Sequence, residues 1–379
     1  MKRIIAITFT VLLVSAIIFG GCAKPAEPTT PTEPTKPAEP TKPAEPVKPI
    51  EWRCSSFVPP FDCFSVDMVD WAKQLEEKTG GRLRITFYFS ESLVKLMGEL
   101  DAVASGTCDM GTPSVSGHPE RCPLNRVAGI LFVYKDQPQT GYTMVSLYNK
   151  YEEFKNEMLP TKLLWFNSPA PEDIFTKNKL VKTMEDMKGL KIGTTSAEAI
   201  KALNLMGAVP VTIPTTEKYH ALETGVLDGT ADDWNAVYLW KMYEVTKYRT
   251  DMVRMKGRGF PVIVNIASYN KLPDDIRQIF DEHTPLVETT LARADGHVLY
   301  QNESIKKILE YDEKVGNPPT YILPEAERER FYEMCSPLNE DYIKELEAKG
   351  LPGRAFVEDA IAFAEEYVEI YGEIKPWGA

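Results

Sequence analysis

Cys22 carries the most definite chemistry in this chain. It follows a charged start (Lys2, Arg3), an uncharged run from Ile4 to Phe19, and the small pair Gly20 and Gly21. That order is a charged n-region, an apolar h-region and a small-residue cleavage site. The apolar run is shorter than the ~20 residues a spanning helix needs. A cysteine directly after the small pair is the lipobox arrangement, which implies cleavage before Cys22 and diacylation of its thiol. Phe19 stands where Leu, Val or Ile is usual, so an ordinary secretory signal or an N-terminal membrane anchor is the competing reading. Two acyl chains make membrane attachment durable. The expected mature protein is therefore lipid-anchored at an outer membrane face, in the periplasm or at the cell surface.

Other reactive groups are sparse. The four histidines (118, 220, 283, 297) are not paired at metal-ligand spacing. The sequence has no GxSxG, HExxH or GxGxxG. Residues 106–111 have the glycine spacing of a P-loop, but Thr112 stands where Lys is required. No CxxC occurs among the cysteines after Cys22 (54, 63, 108, 122, 335), which weakens zinc and thioredoxin-like readings. Their odd number leaves at least one free thiol or an intermolecular bond, or no disulfide at all. His220 reads as a surface or cap residue, and Trp165, Tyr238 and Trp240 as core by default. No catalysis, metal or cofactor is expected. Asp232, Asp233, Trp234 and Asn235 form the most polar cluster at a strand end, either a solvated loop or a pocket wall.

The elements that would position such a pocket begin after a spacer. From Pro25 to Pro49 every third residue is proline, and TKPAEP at 35–40 repeats at 41–46. Polyproline II has three residues per turn, so this spacing lines the prolines along one face of a stiff rod. The chain's formal charge is −12, and loss of Lys2 and Arg3 makes it −14. That balance argues against nucleic acid as a partner. The sequence divides into a signal peptide at 1–21, the lipidated cysteine and spacer at 22–50, and a globular domain at 51–379.

Within that domain, residues 51–57 and 82–89 read as strands, 67–78 and 92–104 as helices, and 109–113 as a third strand. This alternation implies parallel pairing in an open α/β sheet, whose ligands sit beyond the carboxyl ends of the strands. Those ends are 55–60 and 112–117, which place Phe57 and Ser114 at the ligand. Strands at 163–166, 173–176, 190–193, 209–213 and 226–230, with helices at 197–206 and 217–223, form a second unit. Residues 260–267 return as an apolar strand crossing between units. Residues 286–315 read as one long helix and 354–371 as the last.

These residues carry a resemblance. WAKQLEEKTGGRL at 71–83 resembles the first helix and turn of the DctP family, the solute-binding proteins of tripartite ATP-independent periplasmic (TRAP) transporters. DMG at 109–111, with His118, Pro119, Pro123 and Leu124 after it, is similar to the family's third strand and its extension. TMEDMKGLKI at 183–192, YHALETGVLDG at 219–229 and NKLP at 270–273 resemble further signatures in order. The resemblance implies a two-lobed periplasmic-binding-protein-like fold with crossing hinge strands and a long inter-lobe helix. Lobe I would take about 51–165 plus part of 267–379, and lobe II about 173–260. It implies closure on one small organic solute, with bending near 166–172 and 258–262. Handover would be to TRAP permease membrane subunits driven by an ion gradient. A ligand-sensing partner of a membrane receptor, and a secreted enzyme, are the alternatives.

Members of the family usually hold a carboxylate with an Arg after the GLKI strand, where this chain has Gly193. A second Arg often lies upstream, in the stretch that here reads APEDIFT at 170–176 and includes Glu172. Thr215 stands where an aromatic is common, and Asp232 where an Asn is sometimes found. The resemblance thus implies a pocket that has lost Arg and gained carboxylates, unless Arg121, Arg126 or Arg258 supplies the cation. On that reading simple dicarboxylates bind poorly, and neutral, zwitterionic or cationic-ended solutes bind better.

Overall fold

The computed structural model describes residues 48–372. The signal segment, Cys22 and most of the spacer lie outside the described residues. The strands are β1 (Ile50–Ser55), β2 (Leu83–Tyr88), β3 (Met110–Gly111), β4 (Thr161–Asn167), β5 (Asp173–Thr176), β6 (Lys191–Thr194), β7 (Val209–Thr212), β8 (Gly229–Asp232), β9 (Tyr248–Asp251), β10 (Phe260–Asn265) and β11 (Tyr321–Ile322). The helices are α1 (Cys63–Lys78), α2 (Glu99–Ser105), α3 (Gln137–Lys150), α4 (Glu152–Asn156), α5 (Ala197–Leu205), α6 (Thr215–Glu223), α7 (Trp234–Leu239), α8 (Ile266–Asn270), α9 (Asp274–His283), α10 (Leu286–Val315), α11 (Glu325–Ala348) and α12 (Gly353–Tyr371).

Two sheets organise the chain. One runs β2-β1-β3-β10-β4 and the other β11-β9-β5-β8-β6-β7. β1 pairs parallel with β2 and β3, and β6 pairs parallel with β7 and β8, as strand–helix–strand alternation requires. β10 and β5 run antiparallel to their neighbours because each enters its sheet from the other lobe.

α1 shows how sequence builds a lobe. The Asp62 side chain accepts a hydrogen bond from the Phe64 N–H at 2.9 Å and caps the helix. Met68, Trp71, Ala72 and Leu75 then fall on one buried stripe. Trp71 meets Trp165 of β4 at 5.1 Å between ring centroids and Phe280 of α9 at 5.7 Å. Each such large side chain contributes about 2–3 kcal/mol by leaving water. Gly80 and Gly81, at φ of 64° and 77°, stop the helix where a side chain would be strained.

Two short segments join the sheets, 168–172 between β4 and β5 and 252–259 between β9 and β10, and α8 to α10 carry the chain from β10 back to β11 of the second sheet. The second crossing begins upstream of the 258–262 stretch expected from sequence and overlaps it only at 258–259. Phe260 already pairs with Asn167 inside the first sheet, so most of the expected bending stretch is strand. α10 also spans both units. At about 1.5 Å per residue its 30 residues reach ~45 Å. His297 of α10 lies 3.0 Å from Asp67 of α1, while Asp312, further along, pairs with Arg249 of β9 at 2.6 Å. α11 does the same. Phe331 and Cys335 pack into the core of the second sheet, and Tyr342, Ile343 and Leu346 into that of the first, with Pro337 between the two groups. Among the described residues no helix is long and apolar enough to cross a membrane. The five cysteines after Cys22 are free thiols and buried.

Candidate functional site

The two crossings bring together charges that sequence spacing keeps apart. Glu172, at the end of the first crossing, is 3% exposed and pairs with Lys256 of the second at 3.0 Å. Their backbones are stitched as well, with Glu172 N–H donating to the Lys256 carbonyl and Met255 N–H to the Glu172 carbonyl. Arg258 on the same crossing pairs with Asp233 at 2.6 Å. Asp233 is also the N-cap of α7, accepting from Ala236 N–H. Burial pushes the Asp233 carboxyl up, with Arg258 pulling the other way. Burial likewise works against the Arg258 charge, but Asp233, Glu172 and Asp232 together raise its pKa.

Asp232 pairs with Lys218 of α6 at 2.7 Å and accepts from the Thr230 hydroxyl. Every carboxylate that looked unpaired in the sequence is therefore matched by a cation. Lys218, Lys256 and Arg258 each answer one of the three expected carboxylates, while Asp62 at the start of α1, which acts electrostatically on Asp233, stands outside these pairs.

Lobe I contributes an apolar corner. Phe57 lies 5.3 Å and Phe64 6.0 Å from Phe260, ring to ring, with Val58 and Cys63 packed beside them. Cys63 Sγ lies 4.0 Å from Asn235 Nδ2 of α7, so the start of α1 meets the start of α7 directly. Asn235 Oδ1 in turn accepts from the Ser304 hydroxyl of α10 at 2.9 Å. Phe57, Glu172, Asp233 and Asn235 thus gather about the crossings.

The remaining expected residues sit elsewhere in the same fold. Trp234 is 1% exposed, edge-on to Phe175, and donates from Nε1 to Asp173 at 3.0 Å. It packs beneath the site as core. Asp173 is buried beside Arg254, and burial raises its pKa. Ser114 and Thr215 are half-buried at the carboxyl ends of β3 and β7. Gly193 sits in β6 with its missing Cβ aimed at Leu227, whose Cδ1 would be 2.7 Å away. Leu227 fills the space from which a side chain at 193 would start.

Arg126, one of the alternative cations, bridges lobes instead. It pairs with Glu198 of α5 at 3.2 Å and Glu345 of α11 at 2.6 Å. A shallow open hollow next to this triad is lined by Tyr342 and Asn339, and by none of the eight expected site residues. The ion-paired crossings are the better candidate, because they carry buried polar groups from both sides. Lys218 and Lys256 were missed by sequence reasoning. The available signal was Lys256 and Arg258 standing just ahead of the apolar run at 260–265.

A family model for bacterial extracellular solute-binding protein, family 7 (DctP), matches residues 55–345. The chain belongs to this family, the solute-binding proteins of TRAP transporters. Among relatives, it is 28% identical over 290 residues to the C4-dicarboxylate-binding periplasmic protein DctP of Rhodobacter capsulatus, covering 73% of this chain and 82% of that one. It is 24% identical over 276 residues to the C4-dicarboxylate-binding protein DctB of Bacillus subtilis, covering 72% and 76%. A TRAP periplasmic solute-binding protein of Desulfovibrio salexigens superposes with a TM-score of 0.76 at 25% identity, covering 86% of this chain and 98% of that one. A TRAP solute-binding protein of Rhodoferax ferrireducens, in complex with copurified benzoate, shares the fold at a TM-score of 0.75 and 22% identity, covering 85% and 99%.

Proposed function

We propose that this protein is held by lipid on Cys22 at the outer face of the cell membrane, captures one small organic solute between its lobes, and delivers it to TRAP permease subunits without catalysing a reaction. The observation that carries the reading is the pair of crossings, where buried Glu172 and Lys256 and half-buried Arg258 stand on the segments that join the sheets and meet Asp233 at the start of α7. Charged groups are kept out of water only where paired or used. Relatives in Rhodobacter capsulatus and Bacillus subtilis are C4-dicarboxylate-binding proteins, which supports an organic solute. Closure would bend 168–172 and 252–259 while α10 and α11 keep the lobes in line.

The test combines a thermal-shift screen with small-angle scattering. Solute at a hundredfold excess over Kd stabilises by about 2.7 kcal/mol and raises the melting temperature. The same solute is expected to reduce the radius of gyration. A solute that binds without compaction refutes lobe closure, and silence across organic acids, amino acids, sugars and polyols refutes capture.

A further inference from the structure

The crossings carry three ion pairs, and that pairing speaks to the solute. Glu172, Asp232 and Asp233 stand against Lys218, Lys256 and Arg258 in three pairs. Two of these pairs are incomplete. Glu172 Oε2 is buried with no hydrogen-bond partner, and so is Arg258 Nε. The first is an acceptor on an anion, the second a donor on a cation. Glu172 acts electrostatically on both Arg258 and Asp233, so the open acceptor and the open donor belong to one charged group. Beside them stand the rings of Phe57, Phe64 and Phe260.

A monoanion entering this set adds a negative charge that no free cation answers, and a dicarboxylate adds two. Burying an unanswered charge is strongly unfavourable. A solute bearing one charge of each sign adds none, and it exchanges ion pairs with the protein's own. Its carboxylate satisfies an open guanidinium N–H, and its ammonium satisfies an open carboxylate oxygen.

Resting on the capture reading above, we propose that the cleft takes a small zwitterion, one carboxylate and one ammonium on an apolar or aromatic body, with Arg258 and Lys256 receiving the carboxylate, Glu172 and Asp233 the ammonium, and Phe57, Phe64 and Phe260 the body.

The test is calorimetry and thermal shift on the purified full chain with matched probes. L-phenylalanine is compared with 3-phenylpropionate and phenethylamine, and L-leucine with 4-methylpentanoate and isopentylamine. C4-dicarboxylates, sugar acids and polyols complete the panel. The expected result is that at least one amino acid binds, and that its deaminated and decarboxylated partners bind at least tenfold more weakly. Glu172→Gln frees Lys256 from its partner, so it is expected to weaken the zwitterion at least tenfold and to strengthen the matched acid. Asp233→Asn keeps the helix cap, since Asn also caps, and is expected to move the two probes the same way. A variant that merely loosened the fold would weaken both probes together, and that outcome overturns the assignment. Binding of an acid or polyol with the amino acids silent overturns the zwitterion class and leaves solute capture standing. Silence of the whole panel takes both down.

Discussion

Glu99 opens α2 and is fully buried. Its two oxygens lie beside the Ser55 hydroxyl and the Thr112 N–H without a well-formed hydrogen bond. Burial raises its pKa from 4.5 to about 8, with smaller opposing and reinforcing effects from Ser55 and Glu91. The folded state therefore holds a proton that the unfolded chain releases above pH 4.5. An acid with a raised folded pKa contributes stability that is full below its unfolded pKa and is lost as pH rises through its folded pKa. Here the window runs from about pH 4.5 to about pH 8. At ~1.4 kcal/mol per pH unit, the loss between pH 5 and pH 7.5 is about 3 kcal/mol. Glu99→Gln keeps the shape and removes the proton. Urea melts of both proteins at pH 5 and pH 7.5 give the comparison. The variant is expected to gain about 3 kcal/mol relative to the parent on going from the lower to the higher pH. Parallel pH dependences in the two proteins, or a variant that loses ground at pH 7.5, would refute a protonated Glu99.

Three further outcomes follow from particular contacts. Arg126→Ala removes the bridge to Glu198 and Glu345. An ion pair at a partly exposed site is worth up to about 1 kcal/mol, so the balance between open and closed lobes is expected to shift up to about fivefold toward open, read by scattering or by a fluorescence pair across the cleft. Gly193→Arg places its Cβ 2.7 Å from Leu227 Cδ1, so it is expected to destabilise by about 1–3 kcal/mol in urea melts, with Leu227→Ala in the same chain recovering part of the loss. Cys22→Ser is expected to abolish lipidation and move the protein from the detergent phase to the aqueous phase with an unaltered melting temperature; retention in detergent would sink the anchor.

The sequence was most legible where local pattern and final structure agree. Alternation at 82–89 became β2, and the long apolar periodicity at 286–315 became α10 with those bounds. α11 was silent because it carries Pro337 and packs each of its halves against a different sheet, so no single stripe runs its length. α3 was silent for another reason. Its buried side includes Gln137, Thr140, Gly141 and Thr143, which hydropathy reads as solvent-facing.

The site itself was half legible, and the division has a physical cause. The absence of a cation at 193 can be read from one position, because Gly leaves no side chain whatever the fold does. The presence of partners for Glu172, Asp232 and Asp233 cannot, because each pair joins elements brought together only by the crossings and by α6 packing on β8. Reading carboxylates without their cations gave a repulsive pocket, and the fold gives one in which Glu172, Asp232 and Asp233 are each paired. The argument against dicarboxylates survives that change on a different footing. It no longer rests on repulsion by acids. It rests on the lack of a free cation, since Lys256 and Arg258 are each engaged at 3.0 Å and 2.6 Å. A ligand carboxylate must therefore compete with Glu172 or Asp233. It wins that competition without a net cost in charge only if the ligand also offers the displaced carboxylate a cation.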